Sequence, residues 1–351
     1  MRRSSLYPAF LACAGVIFGV LGLAMPSASV AQTQIEEPQI PFVTLRNRTG
    51  QQNPGQYYGD ERSDLKAGWC RVKSLDVSVL GALAEAAPGF IREEFLSIDR
   101  VTETGDSVVF DALQQTVGDD TAVIYVHGFN ISFEKGCRRA LLLRQNAGLN
   151  GRLLWFSWPS DGTLTNYMRD ESDMYWSVPD LAEVILEMER RFGPDKVSVV
   201  GHSLGARGVV LALYEVANRR PDIRLGEVVL LAPDMDFQFF ERLLPRVRPV
   251  ASNLTIYVTQ GDRPLALSEQ LHGYPRLGEA GNDVSRLDDV EVIDISDLSV
   301  RDLTGHLYHI YNAALGADLR QLLNEAKAAD ARENLTPAGP NLWRLGEAQP
   351  D

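Results

Sequence analysis

The chain has 351 residues, 45% hydrophobic and 23% charged, with a formal net charge of −13. That length and mix suit one large globular domain or two small ones, with enough apolar residues for a real core. The acidic balance repels phosphate backbones, so nucleic acid is excluded as an expected partner.

Residues 1–31 read as an export signal. Arg2-Arg3 precedes an uncharged apolar run from Leu6 to Met25, followed by Pro26 and a small-residue stop at Ser29-Val30-Ala31. Cleavage after Ala31 leaves Gln32 first and removes two arginines and no acids, taking the charge from −13 to −15. The expected location is periplasmic or secreted, with no stable membrane span after cleavage. A retained N-terminal membrane anchor is the alternative, because the apolar run is nearly long enough to cross a bilayer.

Residues 32–66 are polar and rich in Gln, Asn and Gly, which predicts an extended arm with one edge strand near Phe42-Val43-Thr44-Leu45. Strand-length apolar runs follow at Cys70–Leu75, Ala122–Val126, Leu153–Trp158, Val197–Val200, Val228–Leu231, Leu254–Val258 and Val290–Ile295. Helical patterns lie between or after them at Phe133–Asn146, Pro179–Phe192, Leu204–Ala217, Phe237–Leu244 and Ala313–Ala328. Such alternation predicts a mostly parallel, doubly wound sheet covered by helices on both faces, one α/β domain over 67–329. The Pro- and Gly-punctuated residues 330–351 predict a flexible tail. Cys70 and Cys137 remain after signal removal; in an oxidising compartment they are a candidate disulfide, although two buried thiols would read the same way.

The most informative stretch runs from Val197 to Leu213. The strand pattern Val197-Ser198-Val199-Val200 enters Gly201-His202-Ser203-Leu204-Gly205, and a helical pattern leaves it. A serine on a sharp strand–turn–helix elbow is a candidate nucleophile, with glycines on either side letting strand and helix pass closely. The spacing alone is weak, and the flanking strand and helix supply the specificity. The helix start aims unpaired N–H groups at any oxyanion formed there, so the Leu204 amide is one candidate donor. After Ala122–Val126 comes His127-Gly128-Phe129-Asn130, a sharp turn that offers the Phe129 amide as the second donor.

Five histidines limit the choice of general base. His127 and His202 read as structural, and His272 sits in a loop that could line the cleft. His306 follows the last predicted strand and precedes the last helix, where this topology supplies a base; His309, three residues on, is the alternative. The pair lacks a third ligand at recognisable spacing, so no metal and no other cofactor is expected. Asp262, after the strand Leu254–Val258, is the candidate orienting acid, and Asp234, after Val228–Leu231, is the alternative. Each could equally cap a helix.

The set His127-Gly128-Phe129-Asn130, Phe156-Ser157-Trp158-Pro159-Ser160, Gly201-His202-Ser203-Leu204-Gly205, Leu231-Ala232-Pro233-Asp234 and Gly305-His306 resembles the α/β-hydrolase superfamily. Within it, the chain resembles a bacterial family catalogued as domain of unknown function 900, over about Phe42 to Ala328. The resemblance implies an α/β-hydrolase fold with nucleophile Ser203, acid Asp262 and base His306, and it brings no substrate. The short stretch between Asp234 and Leu254 leaves room for about one helix and no large lid domain.

The expected reaction is acyl transfer to Ser203 through a covalent acyl-enzyme, with a small ester or acyl compound as substrate and an esterase more expected than an amidase or thioesterase. Tyr167, Met168, Met174, Tyr175 and Trp176 offer an apolar surface for an acyl chain, or are plain helix packing. Asp161, Asp170, Glu171 and Asp173 in the same stretch argue against an anionic head group. The alternative reading is a hydrolase-fold protein of the cell envelope that binds a ligand without turnover.

Overall fold

A computed structural model describes residues 39–74, 93–299 and 306–347. The predicted export signal lies outside the described residues. Eleven strands form one sheet. In chain order they are β1 (Gln39–Arg48), β2 (Tyr58–Ser74), β3 (Leu96–Thr104), β4 (Ala122–Val126), β5 (Leu153–Ser157), β6 (Val197–His202), β7 (Leu225–Leu231), β8 (Ala251–Val258), β9 (Glu291–Asp294), β10 (Leu335–Pro337) and β11 (Leu342–Leu345). Across the sheet the order is β10-β11-β9-β8-β7-β6-β4-β5-β1-β2-β3. Every pairing from β11 to β1 is parallel, and antiparallel pairs close both edges. The helices are α1 (Asp106–Val117), α2 (Phe133–Asn146), α3 (Tyr167–Phe192), α4 (Leu204–Arg219), α5 (Phe237–Val247), α6 (Arg263–His272), α7 (Tyr308–Tyr311) and α8 (Ala313–Glu325).

Central strands are apolar throughout because both their faces are covered. Ile124 and Val126 face α1, α3, α4 and α5, whereas Val123 and Tyr125 face α2 and α8. A single helix, α5, occupies the stretch between Asp234 and β8, and no large lid covers this edge among the described residues. No helix among the described residues is long and apolar enough to cross a membrane.

Three expectations are corrected. The polar arm over 32–66 is, from Gln39 onward, part of the sheet, and β1 is an interior strand between β5 and β2. The strand expected at an edge near Phe42–Leu45 is interior, and its polar residues are buried and satisfied: Thr44 Oγ1 donates to the Ser157 carbonyl (2.9 Å), and Arg46 is bonded on all sides. The tail beyond 330 contains the β10–β11 hairpin, held by parallel pairing of β11 to β9 and by buried Leu345. Finally, α3 starts twelve residues before Pro179, at Tyr167, with Asp170, Asp173, Met174 and Ser177 buried along its first turns.

Cys70 of β2 and Cys137 of α2 form a disulfide that closes a loop of 67 residues. By chain entropy alone a loop of that size is worth about 4 kcal/mol against the unfolded state. It fastens the N-terminal strands to the helix behind β4.

Glu227 on β7 is buried, and its Oε2 has no hydrogen-bond partner among the described residues. Burial, helped by nearby Glu291, pushes its pKa up to about 7. An acid whose folded pKa is raised costs stability as pH climbs from its unfolded value near 4.5 to the folded one, because only the unfolded chain releases the proton. Glu227→Gln should therefore stabilise the fold at pH 8, by on the order of 3 kcal/mol, and have little effect at pH 5. Urea unfolding at the two pH values checks this.

Candidate active site

Ser203 stands between β6 and α4 with φ 54° and ψ −122°, a conformation that costs roughly 1–3 kcal/mol for a residue with a side chain. Packing on both sides imposes it. A Cβ at Gly201 would lie 2.6 Å from the Ala206 Cα, and one at Gly205 would lie 2.2 Å from the His127 carbonyl oxygen. The Ser203 amide donates to the Leu231 carbonyl (2.9 Å) and the Asp234 amide donates to the Ser203 carbonyl (3.1 Å), which locks the elbow to the end of β7. Leu204 is the first residue of α4, ahead of the bond from the Ala206 amide to the Ser203 carbonyl (3.0 Å).

The loop after β4 runs against this elbow, and a Cβ at Gly128 would sit 3.0 Å from the Ser203 Cβ. The loop is anchored residue by residue. Trp158 Nε1 donates to the His127 carbonyl (2.8 Å) and its ring stacks on His127 at 4.9 Å. The Asn130 amide donates to Asp170 Oδ2 (2.9 Å), the Ile131 amide to Ser160 Oγ (2.9 Å), and Arg46 Nη2 to the Ile131 carbonyl (2.6 Å). Phe129 lies between these anchors, its ring edge-on to Tyr167 at 5.3 Å.

Asp262 and His306 are brought together: His306 Nδ1 donates to Asp262 Oδ2 (2.5 Å), while Asp262 Oδ1 accepts from the Leu265 amide (3.0 Å) as the cap of α6. The carboxylate that meets His306 is thus also the helix cap, so capping α6 does not take Asp262 away from the imidazole. His306 also lies against the elbow, for His202 Nε2 donates to the His306 carbonyl (3.0 Å) and the two rings are 4.5 Å apart. The His309 ring lies 4.1 Å from the same His202 ring, tilted 34° to it. Burial drives His127, His202 and His309 well below the ordinary histidine value, which disfavours their charged forms.

Asp234, the alternative acid, has other partners. Arg276 Nε (2.9 Å) and Ser268 Oγ (2.6 Å) donate to its Oδ1, Tyr167 donates to Oδ2, and Arg207 reaches it at 3.3 Å. Burial works to raise the Asp234 pKa, but Arg207 and Arg276 outweigh it and hold the carboxyl below its ordinary value. Arg207 also pairs with Glu171, which lies 3.1 Å from His272 Nε2.

The acids of the stretch before Trp176 are each engaged locally: Asp161 accepts from the Thr163 amide (2.7 Å), Asp170 holds the loop after β4, Glu171 pairs with Arg207, and Asp173 pairs with Arg62. Trp158 and Met174 are core residues, while Met168, Tyr175 and Trp176 are exposed. Arg46, Arg207 and Arg276 went unnoticed in the sequence. Their partners are dozens of residues away, and no local pattern marks a buried arginine.

Among solved structures the chain is similar to the product of gene lin2722 from Listeria innocua, at 12% identity over 65% of this chain and 100% of that one, with a TM-score of 0.40. It is similar to an esterase from Pyrobaculum calidifontis at 14% identity, over 57% of this chain and 77% of that one, with a TM-score of 0.33. A hormone-sensitive lipase from a metagenome library gives 15%, 72%, 98% and 0.35 for the same quantities. Likenesses this distant carry no argument about chemistry. No curated protein matches. Residues 105–325, well over half of the chain, match a family described as an alpha/beta hydrolase of unknown function. With the parallel sheet and elbow already described, the chain belongs to that family, DUF900.

Proposed function

We propose that this protein is a serine hydrolase acting on uncharged esters, with Ser203 as nucleophile, His306 as general base and Asp262 as the orienting acid. The observation that carries the reading is the 2.5 Å bond from His306 Nδ1 to Asp262 Oδ2 beside a strained serine elbow. A proton fixed on Nδ1 makes Nε2 the basic nitrogen.

In the proposed reaction Ser203 Oγ bonds to the acyl carbon as its proton passes to His306 Nε2, and the carbonyl becomes an oxyanion facing the Phe129 and Leu204 amides. Collapse breaks the bond to the leaving alkoxide, which takes the proton from His306. Water then enters by the same route in reverse roles, releasing the carboxylic acid and free Ser203. The arginines beside the elbow, Arg207 and Arg276, are already engaged with carboxylates, which favours an uncharged acyl substrate over an anionic one. The disulfide and the N-terminal export pattern support work in the periplasm or outside the cell.

Hydrolysis of p-nitrophenyl esters of graded chain length tests the reading. Asp262→Asn should lower kcat by about 10⁴-fold, because the imidazole loses its partner and its tautomer. Asp234→Asn should instead cost about 3–5 kcal/mol of stability by leaving two buried arginines undercompensated. A wild-type kcat in Asp262→Asn would remove that residue from the mechanism. Absence of turnover on any ester would favour a binding protein of the cell envelope.

A further inference from the structure

The loop that offers the Phe129 amide is held by two buried charges that never touch each other. Asp170, on the first turn of α3, accepts from the Asn130 amide (2.9 Å) and from Ser160 Oγ (2.5 Å) through Oδ2, and from the Asp161 amide (2.9 Å) through Oδ1. Arg46, on β1, donates to the carbonyls of Ile131 (2.6 Å), Ser160 (2.7 Å) and Gly59 (3.0 Å), and to Ser157 Oγ (2.9 Å). Ser160 links the two, because its hydroxyl oxygen also accepts from the Ile131 amide (2.9 Å). Both residues are fully buried.

We propose that Asp170 and Arg46 are positioning residues for the hydrolytic reaction, a clamp that fixes residues 130 and 131 against 160 and 161 and so holds the Phe129 amide at the oxyanion beside Ser203. The inference rests on the serine-hydrolase reading and extends it to a part of the chain outside the family match, since Arg46 precedes residue 105. Burying a charge is costly unless it is bonded, and a core serves stability equally well with apolar residues. Here the backbone bonds fall mainly in the two loops after β4 and β5, where they fix geometry. Asn130 has a positive φ of 59°, so the chain reverses at the residue whose amide Asp170 binds. An amide displaced by a fraction of an ångström loses much of its stabilisation of a developing charge, while substrate docking elsewhere in the cleft is unaffected.

The test compares the purified full chain with Asp170→Ala, Asp170→Asn and Arg46→Met on one p-nitrophenyl ester, together with inhibition by an alkyl boronic acid, which mimics the tetrahedral intermediate. Asp170→Ala should lower kcat about 10²-fold to 10³-fold with KM within about threefold, and weaken the boronic acid in parallel with kcat/KM. Asp170→Asn, which can keep an oxygen on the Asn130 amide, should recover at least about tenfold of the loss. Arg46→Met should show the same split between kcat and KM. If Asp170→Ala does not fold, Asp170→Asn and Arg46→Met carry the comparison. Wild-type kcat and boronic acid affinity in the folded variants, or a loss residing in KM, overturns the clamp while leaving the Ser203 mechanism standing. Failure of the wild-type chain to hydrolyse any ester in a Ser203-dependent way would instead remove the mechanism on which the clamp depends.

Discussion

Replacing Ser203 with alanine should abolish hydrolysis, by a factor of about 10⁴ to 10⁶, and should end covalent labelling of the purified protein by a fluorophosphonate. The size follows from the mechanism: without Oγ no acyl-enzyme forms, and only the oxyanion donors and binding remain. The same position should show a trade between activity and stability. Ser203 is held at φ 54°, where glycine is at ease and alanine is as strained as serine. Ser203→Gly should thus be equally inactive yet more stable than Ser203→Ala by about 1 kcal/mol or more, read by urea unfolding. Unchanged labelling of Ser203→Ala would pass the nucleophile's role to another serine.

The second large effect is expected at Gly205. An added methyl group there would lie 2.2 Å from the His127 carbonyl oxygen and 2.6 Å from that of Val126, and neither atom can swing aside because both belong to the backbone leaving β4. Gly205→Ala should cost more than about 3 kcal/mol, beyond ordinary overpacking, and should push the loop carrying Phe129 away from the elbow. Gly273→Ala is the natural comparison. That glycine caps α6 at φ 79° with open space around it, so the substitution should cost only about 1 kcal/mol and leave turnover intact. Equal losses in the two variants would mean that the close approach at Gly205 is not what limits substitution.

The central sheet and the elbow were legible in the sequence because each rests on a local signal. A run such as Ala122–Val126 has nowhere to go but a strand covered on both faces, and Phe133–Asn146 repeats apolar residues at helical spacing and is a helix over those same residues. Glycines beside Ser203 announce a steric need that the neighbouring residues create. Polar residues gave poorer guidance, because their meaning depends on partners far away. The Gln-, Asn- and Gly-rich residues around Gln51–Gly55 made this region look like an arm with one edge strand, although Thr44 and Arg46 of that strand bind atoms as distant as residues 131–160. Asp234 and Asp262 each follow a strand, and nothing near either one tells them apart. The difference arises where Arg207, Arg276 and Tyr167 converge on the first and His306 on the second. Asp170 read as one of four acids arguing against an anionic head group, yet it is a buried anchor for the loop after β4.

The place of β1 has a consequence for how the molecule comes into being. Its parallel neighbour is β5, and the bond from Thr44 to Ser157 spans 113 residues. A polypeptide made from its N-terminus pairs β1 with β2 early, then waits more than a hundred residues of synthesis before the other side of that ribbon is covered. During the wait an apolar strand edge stands open to wrong partners, and distant pairings of this kind close slowly. The first of the described strands to be synthesised is thus among the last to be seated, and nascent chains of intermediate length are where a chaperone has most to protect.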